Sequence, residues 1–343
     1  MIKVSVCIPA YNRHQFLKPL LDSILFQDYP GLEIVICEDA SPERELIRNV
    51  VMDKIKELRY NSDKIKYYEN EKNIGYDGNI RNLLDKASGD YCLFMGNDDI
   101  LMPGAIERIL KVVEQHPDVA VISRAYQIFL FEPDNIQDTI KHLPEDKLFS
   151  PGLNAIKFFY RRVGVLSGLV FKRDLANKIA TDRFDGYLYY QMYLAGMLLK
   201  SHSGYYISDV QTLSRDGIEP DFGNSEVEKK IFKPGKYTYE SRVHMIQGLL
   251  KIADYIDNTE KKIIYKAIKK DISIYFYPYI RDQLSLPITS YIKMIRAFRS
   301  VGMSKEPIFY FHCIIGYILK KTGYDYIVKL VRKILGHSPK IGF

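Results

Sequence analysis

Short runs of aliphatic and β-branched residues alternate with helix-spaced apolar positions along the first third of the chain. Runs at 3–8, 33–37, 66–68, 91–95 and 119–123 have the length and composition of buried strands. Between the first two, Leu17, Leu20, Leu21, Ile24 and Leu25 recur at intervals that line one face of a helix. Pro103 suits the first turn of a further helix, because the amide it lacks would go unpaired there. Strands separated by helices predict an α/β architecture, a Rossmann-like and mostly parallel central sheet flanked by helices. In such sheets ligands bind beyond the carboxyl ends of the strands, so the residues just after each run carry the first candidates for chemistry.

After Pro133 the pattern loosens. A strand-like segment at 165–171 and a helix-like one at 187–199 come next, and the polar, glycine-containing stretch 214–235 reads as a loop over a site. From Tyr237 the chain reads as helical almost throughout. The expected division is a catalytic domain over residues 1–236, made of 1–125 and 126–236, followed by a helical region 237–343.

Composition narrows the classes. With 47% hydrophobic residues and no repeat or low-complexity tract, the chain is a folded one with a sizeable core. Its net charge of +7 is unevenly placed: ten Lys and Arg after residue 286 face only Glu306 and Asp325, so the tail carries +8 and residues 1–286 about −1. That distribution disfavours nucleic acid as a partner of the first 286 residues. The four cysteines, Cys7, Cys37, Cys92 and Cys313, lack metal-ligand spacing and predict buried thiols in a reducing compartment. A core strand that starts at residue 3 leaves no signal peptide. The longest apolar stretch, 308–319, falls short of the roughly 20 residues that span a bilayer. A cytoplasmic catalytic domain is expected.

Three strand ends carry groups suited to a nucleoside diphosphate. After the first come Pro9, Ala10, Tyr11, Asn12 and Arg13, an aromatic face for a base and a cation for phosphate. The second is followed by Glu38 and Asp39, carboxylates able to accept from a base imide or a ribose hydroxyl. Gly96, Asn97, Asp98 and Asp99 come after the fourth. Adjacent carboxylates repel unless a cation sits beside them, and Mg²⁺ or Mn²⁺ on a diphosphate takes such oxygen ligands. Singly, each feature is more often a turn or a helix cap, as Asp39 before Pro42 and Glu43 illustrates. Their order and spacing together carry the signal.

Residues 2 to about 125 resemble glycosyltransferase family 2 enzymes, of GT-A fold. The resemblance lies in Val4-Ser5-Val6-Cys7-Ile8-Pro9-Ala10-Tyr11-Asn12-Arg13, Glu33-Ile34-Val35-Ile36-Cys37-Glu38-Asp39-Ala40-Ser41, Asn73-Ile74-Gly75-Tyr76-Asp77-Gly78-Asn79 and Gly89-Asp90-Tyr91-Cys92-Leu93-Phe94-Met95-Gly96-Asn97-Asp98-Asp99. It implies a nucleotide-sugar donor cradled by Pro9, Ala10, Tyr11, Arg13, Glu38 and Asp39, with Asn73, Gly75 and Asn79 lining its loop. It further implies that Asn97 and Asp98 face the donor and that Asp99 coordinates Mn²⁺ or Mg²⁺. The first of these three positions is often acidic in the family and here is neutral.

Inverting members use a carboxylate, often in a Glu-Asp pair at the start of a later helix, to deprotonate the acceptor. Here the region reads Phe184-Asp185-Gly186-Tyr187-Leu188-Tyr189-Tyr190-Gln191 and lacks that pair. Asp185, ahead of the helix, is the first candidate base and Asp216 the second. Arg215 is either a diphosphate clamp or exposed, and His202 and His244 are remote candidates for metal ligands. The 165–173 segment and the Gly-Asn-Asp-Asp ending look like those of abequosyltransferase-like members, which implies a carbohydrate or lipid-linked acceptor in O-antigen or capsule synthesis. In the tail, Ile288, Tyr291, Ile292, Ile295 and Phe298 share a helical face apart from Lys293, Arg296 and Arg299. Likewise Ile327, Leu330, Val331 and Ile334 stand apart from Lys329, Arg332 and Lys333. Such helices either rest on an anionic membrane, here the inner face of the cytoplasmic membrane, or pack on the core with a solvated basic face. Two other classes compete with the transferase reading: a sugar-phosphate nucleotidyltransferase, against which stands the absence of glycine from 9–13, and a non-catalytic basic module for membrane or RNA.

Overall fold

A computed structural model describes residues 1–219 and 222–334, the side chains of residues 60–62 excepted. Alternation of apolar strands and amphipathic helices gives, in order, β1 (Val4–Ala10), α1 (His14–Leu25), β2 (Leu32–Glu38), α2 (Arg44–Leu58), β3 (Ile65–Glu69), α3 (Gly75–Lys86) and β4 (Tyr91–Phe94). Then come β5 (Ile100–Leu101), α4 (Ala105–Gln115), β6 (Val119–Leu130), β7 (Ile136–Ile140), β8 (Lys147–Phe149), α5 (Leu153–Arg162), β9 (Leu169–Lys172), α6 (Arg173–Lys178), α7 (Tyr190–Leu198) and β10 (Ser203–Asp216). The rest is helical: α8 (Tyr239–Ile256), α9 (Ile263–Ile274), α10 (Tyr277–Ile280), α11 (Ile288–Ser300) and α12 (Pro307–Ile334), the last interrupted at Lys320, whose φ is 57°.

The strands form one sheet in the order β3-β2-β1-β4-β9-β6-β10-β5, with β7 beside β6 and β8 beside β10. Parallel pairing joins β3, β2, β1 and β4, and also β6 and β10. Because β9 runs antiparallel to both β4 and β6, the last two strands again point the same way as the first four. Six strands therefore end at one edge, and β1, β2, β4, β6 and β10 deliver the residues described below to it. Every residue of β2 is buried, as expected of a strand covered on both faces. The α1 residues Leu17, Leu20, Leu21 and Ile24 are fully buried in one apolar cluster with Val6 of β1 and Ile34 of β2, each contributing roughly 1.5–3 kcal/mol.

The sheet is more mixed and longer than the sequence pattern predicts. Strand β6 extends to Leu130, well past the expected 123, and the 165–171 segment is a strand only from Leu169. Strands β5, β7, β8 and β10 were not expected, since their short or polar-facing runs lack a continuous apolar pattern. Of the expected loop, β10 claims the residues up to Asp216. Cys7, Cys37, Cys92 and Cys313 are buried free thiols. Among the described residues no helix is long and apolar enough to cross a membrane.

One buried carboxylate fastens the sheet to the turn before β4. Glu33, 3% exposed, accepts from Ser5 Oγ, from Ser88 N at 2.5 Å and Oγ at 2.6 Å, and from Lys66 Nζ at 2.8 Å. Burial alone would raise its pKa, yet the bonds to Lys66, Ser5 and Ser88 hold it far below the ordinary carboxylate range. A depressed folded-state pKa contributes stability that is present above the unfolded value of about 4.3 and is lost as pH falls below it. Glu33→Gln should therefore cost about 2–4 kcal/mol at pH 7 by urea unfolding, and the deficit should shrink steadily from pH 4.5 to pH 3.

Candidate active site

At the carboxyl edge of the sheet lies a cleft of about 1000 Å³. The turn after β1 enters it through two non-glycine residues in left-handed conformation, Asn12 and Arg13. This turns Arg13 toward the end of β4, where Nη1 donates to Asp98 Oδ2 at 2.6 Å while Nη2 donates to the Glu219 carbonyl at 2.6 Å. Pro9, Tyr11 and Arg13 line the cleft. Ala10 does not: it is fully buried beneath them.

After β2 the two carboxylates separate in role. Glu38, fully buried, accepts from Ala40 N at 3.1 Å, Ser41 N at 2.6 Å and Arg44 Nε at 2.5 Å, so it shapes its own turn and lies outside the cleft lining. Asp39 lines the cleft and sits at the N-terminus of α3, taking Ile74 N at 2.9 Å and Gly75 N at 3.0 Å, with Asn70 Nδ2 at 2.7 Å. It caps α3 and not, as the sequence suggested, the helix after Pro42. Burial pushes its pKa up to about 6 against those hydrogen bonds. Asn73 accepts from Gly75 N at 2.9 Å, and Asn79 donates to the Cys37 carbonyl at 3.0 Å; both line the cleft with Gly75. Gly75 has φ +81°, and a Cβ there would lie 2.8 Å from both Glu228 and Ser225.

The end of β4 brings Asn97, Asp98 and Asp99 together. Asn97 Nδ2 donates to the Asn12 carbonyl at 2.9 Å, a bond that needs an amide and that an aspartate could not make, which accounts for the neutral residue. Asp99, 8% exposed, accepts from Ser167 Oγ and from Arg215 N at 2.8 Å. Burial and the neighbouring Asp98 charge push its pKa up to about 7. Arg215 is neither exposed nor free to swing: its guanidinium lies 4.0 Å from the Phe16 ring centroid and 4.5 Å from that of Phe129, and Nε donates to the Asp98 carbonyl at 3.1 Å. Asp216, next along β10, is exposed and lines the cleft.

Asp185 is elsewhere. Its two oxygens take Arg81 Nη1 and Nη2 at 2.6 and 2.8 Å, and it does not line the cleft. The start of α7 instead presents Tyr189, Gln191 and Met192 there, none a base at neutral pH. His202 pairs with Asp118 at 3.3 Å, and His244 meets the Gly186 carbonyl at 3.1 Å while stacking on Tyr187. Neither belongs to a metal-binding group, and the described residues contain no cluster of three or more His, Cys, Asp or Glu suited to one.

Two site residues escaped sequence reasoning. Asp77, 1% exposed, accepts from Gly186 N, Leu188 N and Tyr190 N at 2.9–3.0 Å and so ties the approach to α7 onto α3. Glu228 accepts from Tyr76 N at 2.9 Å and Gly223 N at 3.0 Å and closes the 222–228 loop over the cleft. Asp77 stands within the Asn73–Asn79 motif, but its partners are more than a hundred residues away; Glu228 has no local signal.

With this geometry in view, comparison with known proteins defines the class. Residues 5–179 match the model of Glycosyl transferase family 2, and the chain belongs to that family. Among curated relatives it is 34% identical over 114 residues to the GalNAc(5)-diNAcBac-PP-undecaprenol beta-1,3-glucosyltransferase of Campylobacter jejuni, covering 32% of this chain and 34% of that one. To the abequosyltransferase RfbV of Salmonella typhimurium it is 31% identical over 121 residues, 35% of each. The matches thus span about a third of these relatives' length. In fold it is similar to residues 1–349 of S. aureus TarS in complex with UDP, with a TM-score of 0.60 at 16% identity over 95% of this chain and 92% of that one. It is also similar to the mannosyltransferase PcManGT of Pyrobaculum calidifontis in complex with GDP-Man and Mn²⁺, at 0.51 and 15% over 92% and 87%. The fold is GT-A.

The two candidate bases are separable by substitution. Asp185→Asn weakens a fork that joins α3 to the α7 approach, so it should lower the melting temperature by a few degrees and leave kcat within about threefold of wild type. Asp216→Asn should do the reverse, lowering kcat by about 10²–10⁴ with an unchanged melt. Steady-state kinetics beside calorimetric melting checks both.

Proposed function

We propose that this chain transfers a sugar from a nucleoside-diphosphate donor to a carbohydrate or lipid-linked acceptor in bacterial surface polysaccharide synthesis, with inversion and with a divalent cation. The observation that carries the reading is the convergence of Tyr11, Arg13, Asp39, Asp98 and Asp99 on one cleft at the carboxyl ends of β1, β2 and β4. Membership of the family supports the reaction class. The names of the relatives support an acceptor in glycan assembly: one carries a polyprenyl diphosphate, the other names an abequosyl transfer.

The residues fit a divalent cation. Asp98 and Asp99 are the adjacent carboxylates of the cleft floor, and burial together with the Asp98 charge pushes Asp99 up to about 7. With no third protein ligand among the described residues, a cation held by Asp99, assisted by Asp98, would take its other ligands from a diphosphate and water, as Mg²⁺ and Mn²⁺ commonly do. When bound, it supplies neutralisation of charge on the leaving diphosphate. The chain's own contributions derive from position. Arg13 places a guanidinium beside Asp98, where phosphate oxygens would lie. Asp39 offers carboxylate oxygens to donor hydroxyl or imide groups, and Ser167 fixes the Asp99 rotamer. Asp216, exposed at the rim, accepts the proton of the acceptor hydroxyl as it attacks.

The tail supports a location for this reading at a membrane surface. In α11 the residues Tyr291, Met294 and Phe298 are buried, whereas Ile288 and Ile292, expected on the same face, are exposed. Beyond Lys320, Tyr326, Ile327, Leu330, Val331 and Ile334 are exposed, with Lys329 and Lys333 beside them, and Arg332 is half-buried. Exposed apolar side chains among lysines support contact of this face with an anionic bilayer surface.

Two measurements test these assignments. In a thermal-shift panel of nucleoside diphosphates, one base should raise the melting temperature in the presence of Mn²⁺, and Asp99→Ala should abolish that gain while losing turnover by about 10³-fold or more. Full activity of Asp99→Ala in EDTA defeats the metal assignment. Sedimentation with liposomes should show binding to anionic but not neutral vesicles at 0.1 M salt and release at 1 M, where the Debye length falls from about 10 Å to about 3 Å. Replacing Lys293, Arg296, Arg299, Lys329 and Lys333 by Gln should release the protein at 0.1 M.

A further inference from the structure

The cleft has a second wall, built by the helical region beyond the sheet. Lys236 and Tyr237 precede α8, Arg242 lies on α8, Tyr279 on α10, and Arg281 and Asp282 on the single turn after α10. Its charges are opposite in sign to those of the strand-end wall. The strand ends and the loop bring five carboxylates, Asp39, Asp98, Asp99, Asp216 and Glu228, against Arg13 and Arg215; this wall brings three cations against Asp282.

Both guanidinium groups are fixed by carboxylates, Arg242 by Asp282 within the wall and Arg281 by Asp325, which lies outside the cleft lining. Asp282 accepts from Arg242 Nη2 at 2.7 Å, and Asp325 accepts from Arg281 Nε and Nη2 at 2.8 and 2.7 Å while accepting from the Tyr277 hydroxyl at 2.5 Å. Arg242 is 8% exposed, its guanidinium 3.6 Å from the Tyr237 ring centroid, and its Nε has no hydrogen-bond partner among the described residues. A buried N–H of a charged group is rarely left without an acceptor, and a ligand in the cleft is one way to supply it. Lys236 adds an ammonium at the rim. After these pairings Arg281 still has Nη1 and Arg242 still has Nε to offer phosphate oxygens, and the half-buried ring of Tyr237 lies beside Arg242, whereas Tyr279 is fully buried.

We propose that this wall is an acceptor subsite for a phosphate group, so that the enzyme takes phosphate-bearing acceptors in preference to neutral sugars. The proposal rests on the glycosyltransferase reading of the same cleft and names its acceptor class. Charge segregation also gives each anion its own place: a diphosphate beside the carboxylates needs a metal, whereas a phosphate at Arg242, Arg281 and Lys236 does not. The acceptor phosphate is thereby kept from the metal-binding end.

Calorimetric titration tests it on protein saturated with its preferred nucleoside diphosphate and Mn²⁺, using octyl phosphate, glycerol 3-phosphate and octyl glucoside as probes. At least one phosphate should bind about ten times or more tighter than octyl glucoside, and Lys236→Gln/Arg281→Gln should lose about tenfold or more of that affinity while nucleotide binding stays unchanged. Octyl phosphate binding alone assigns the group to a lipid phosphate; equal binding of glycerol 3-phosphate assigns it to a phosphate within a soluble or polymeric acceptor. Equal binding of octyl glucoside, wild-type affinity in the double variant, or no binding of either phosphate overturns the proposal and leaves the donor reading standing. Failure of every nucleotide to bind overturns the donor reading instead. Should the double variant not fold, Lys236→Gln alone, at the cleft rim, decides with a loss of about threefold or more.

Discussion

Two carboxylates on consecutive residues at the end of a buried strand impose the constraint around which the cleft is organised. Like charges this close raise each other's cost of ionisation, and removal from water raises it further. The fold meets that cost from four separate segments. Arg13 comes from the turn after β1, Ser167 from the lead into β9, and the amide of Arg215 from the end of β10. Behind them Arg124 on β6, 1% exposed, adds a positive charge near Asp99 while donating to the Val165 carbonyl at 3.2 Å. Burial lowers the Arg124 pKa to about 10, so this guanidinium stays charged at neutral pH. The compensation is incomplete, since Asp99 is still pushed up to about 7.

A second organising point is the N-terminus of α3. The unpaired amides of a helix start attract carboxylates, and here two answer them while a third stands in the first turn of the helix. Asp39 takes Ile74 N and Gly75 N, Glu228 takes Tyr76 N, and Asp77 reaches from the first turn to amides at 186–190. One turn of helix thereby sets the positions of the β2 end, the loop over the cleft and the approach to α7. Gly75 is required at this crossing by its positive φ and by the 2.8 Å that a Cβ would leave to Glu228 and Ser225.

How much of this was legible in the sequence depends on the range of the interactions. Strands β1, β2 and β4 were readable because burial on both faces writes a continuous apolar run, α1 because its buried residues keep helical spacing, and Asp98 and Asp99 because both lie beyond one strand end; β3, at the sheet edge, is buried only at Ile65. Glu38 and Asp39 look equivalent in sequence, yet the first serves its own turn and the second the cleft. The difference is made by Arg44 on one side and by the start of α3 on the other. Asp185 was misleading for the same reason. Position ahead of a helix suggested a base, and only the fold shows Arg81, a hundred residues away, closing on it. Strand β10 was missed since its polar residues interrupt the apolar ones irregularly and it carries register shifts against β6 between Ser203 and Thr212, which break the period that a strand would otherwise write.

The helical region is continuous with the sheet in a way that sequence patterns do not reveal. A single apolar core runs from Cys7 and Phe94 in the sheet through Phe159 and Tyr193 to Leu249, Phe276, Phe298, Phe309 and Cys313. Removing the residues after 236 would therefore uncover the faces of α5 and α7 as well as delete Arg242 and Arg281 from the cleft. The change at 236 is one of architecture, from sheet to helices, with the same apolar core on both sides of it. This continuity has a mechanical consequence. The half of α12 before Lys320 packs Phe309 and Cys313 into that core, while the half beyond it exposes Tyr326, Ile327, Leu330 and Val331. Asp325, at the start of the exposed half, holds Arg281 in the cleft wall. The segment that carries this exposed face therefore also sets the direction of the Arg281 guanidinium in the cleft wall, through one ion pair.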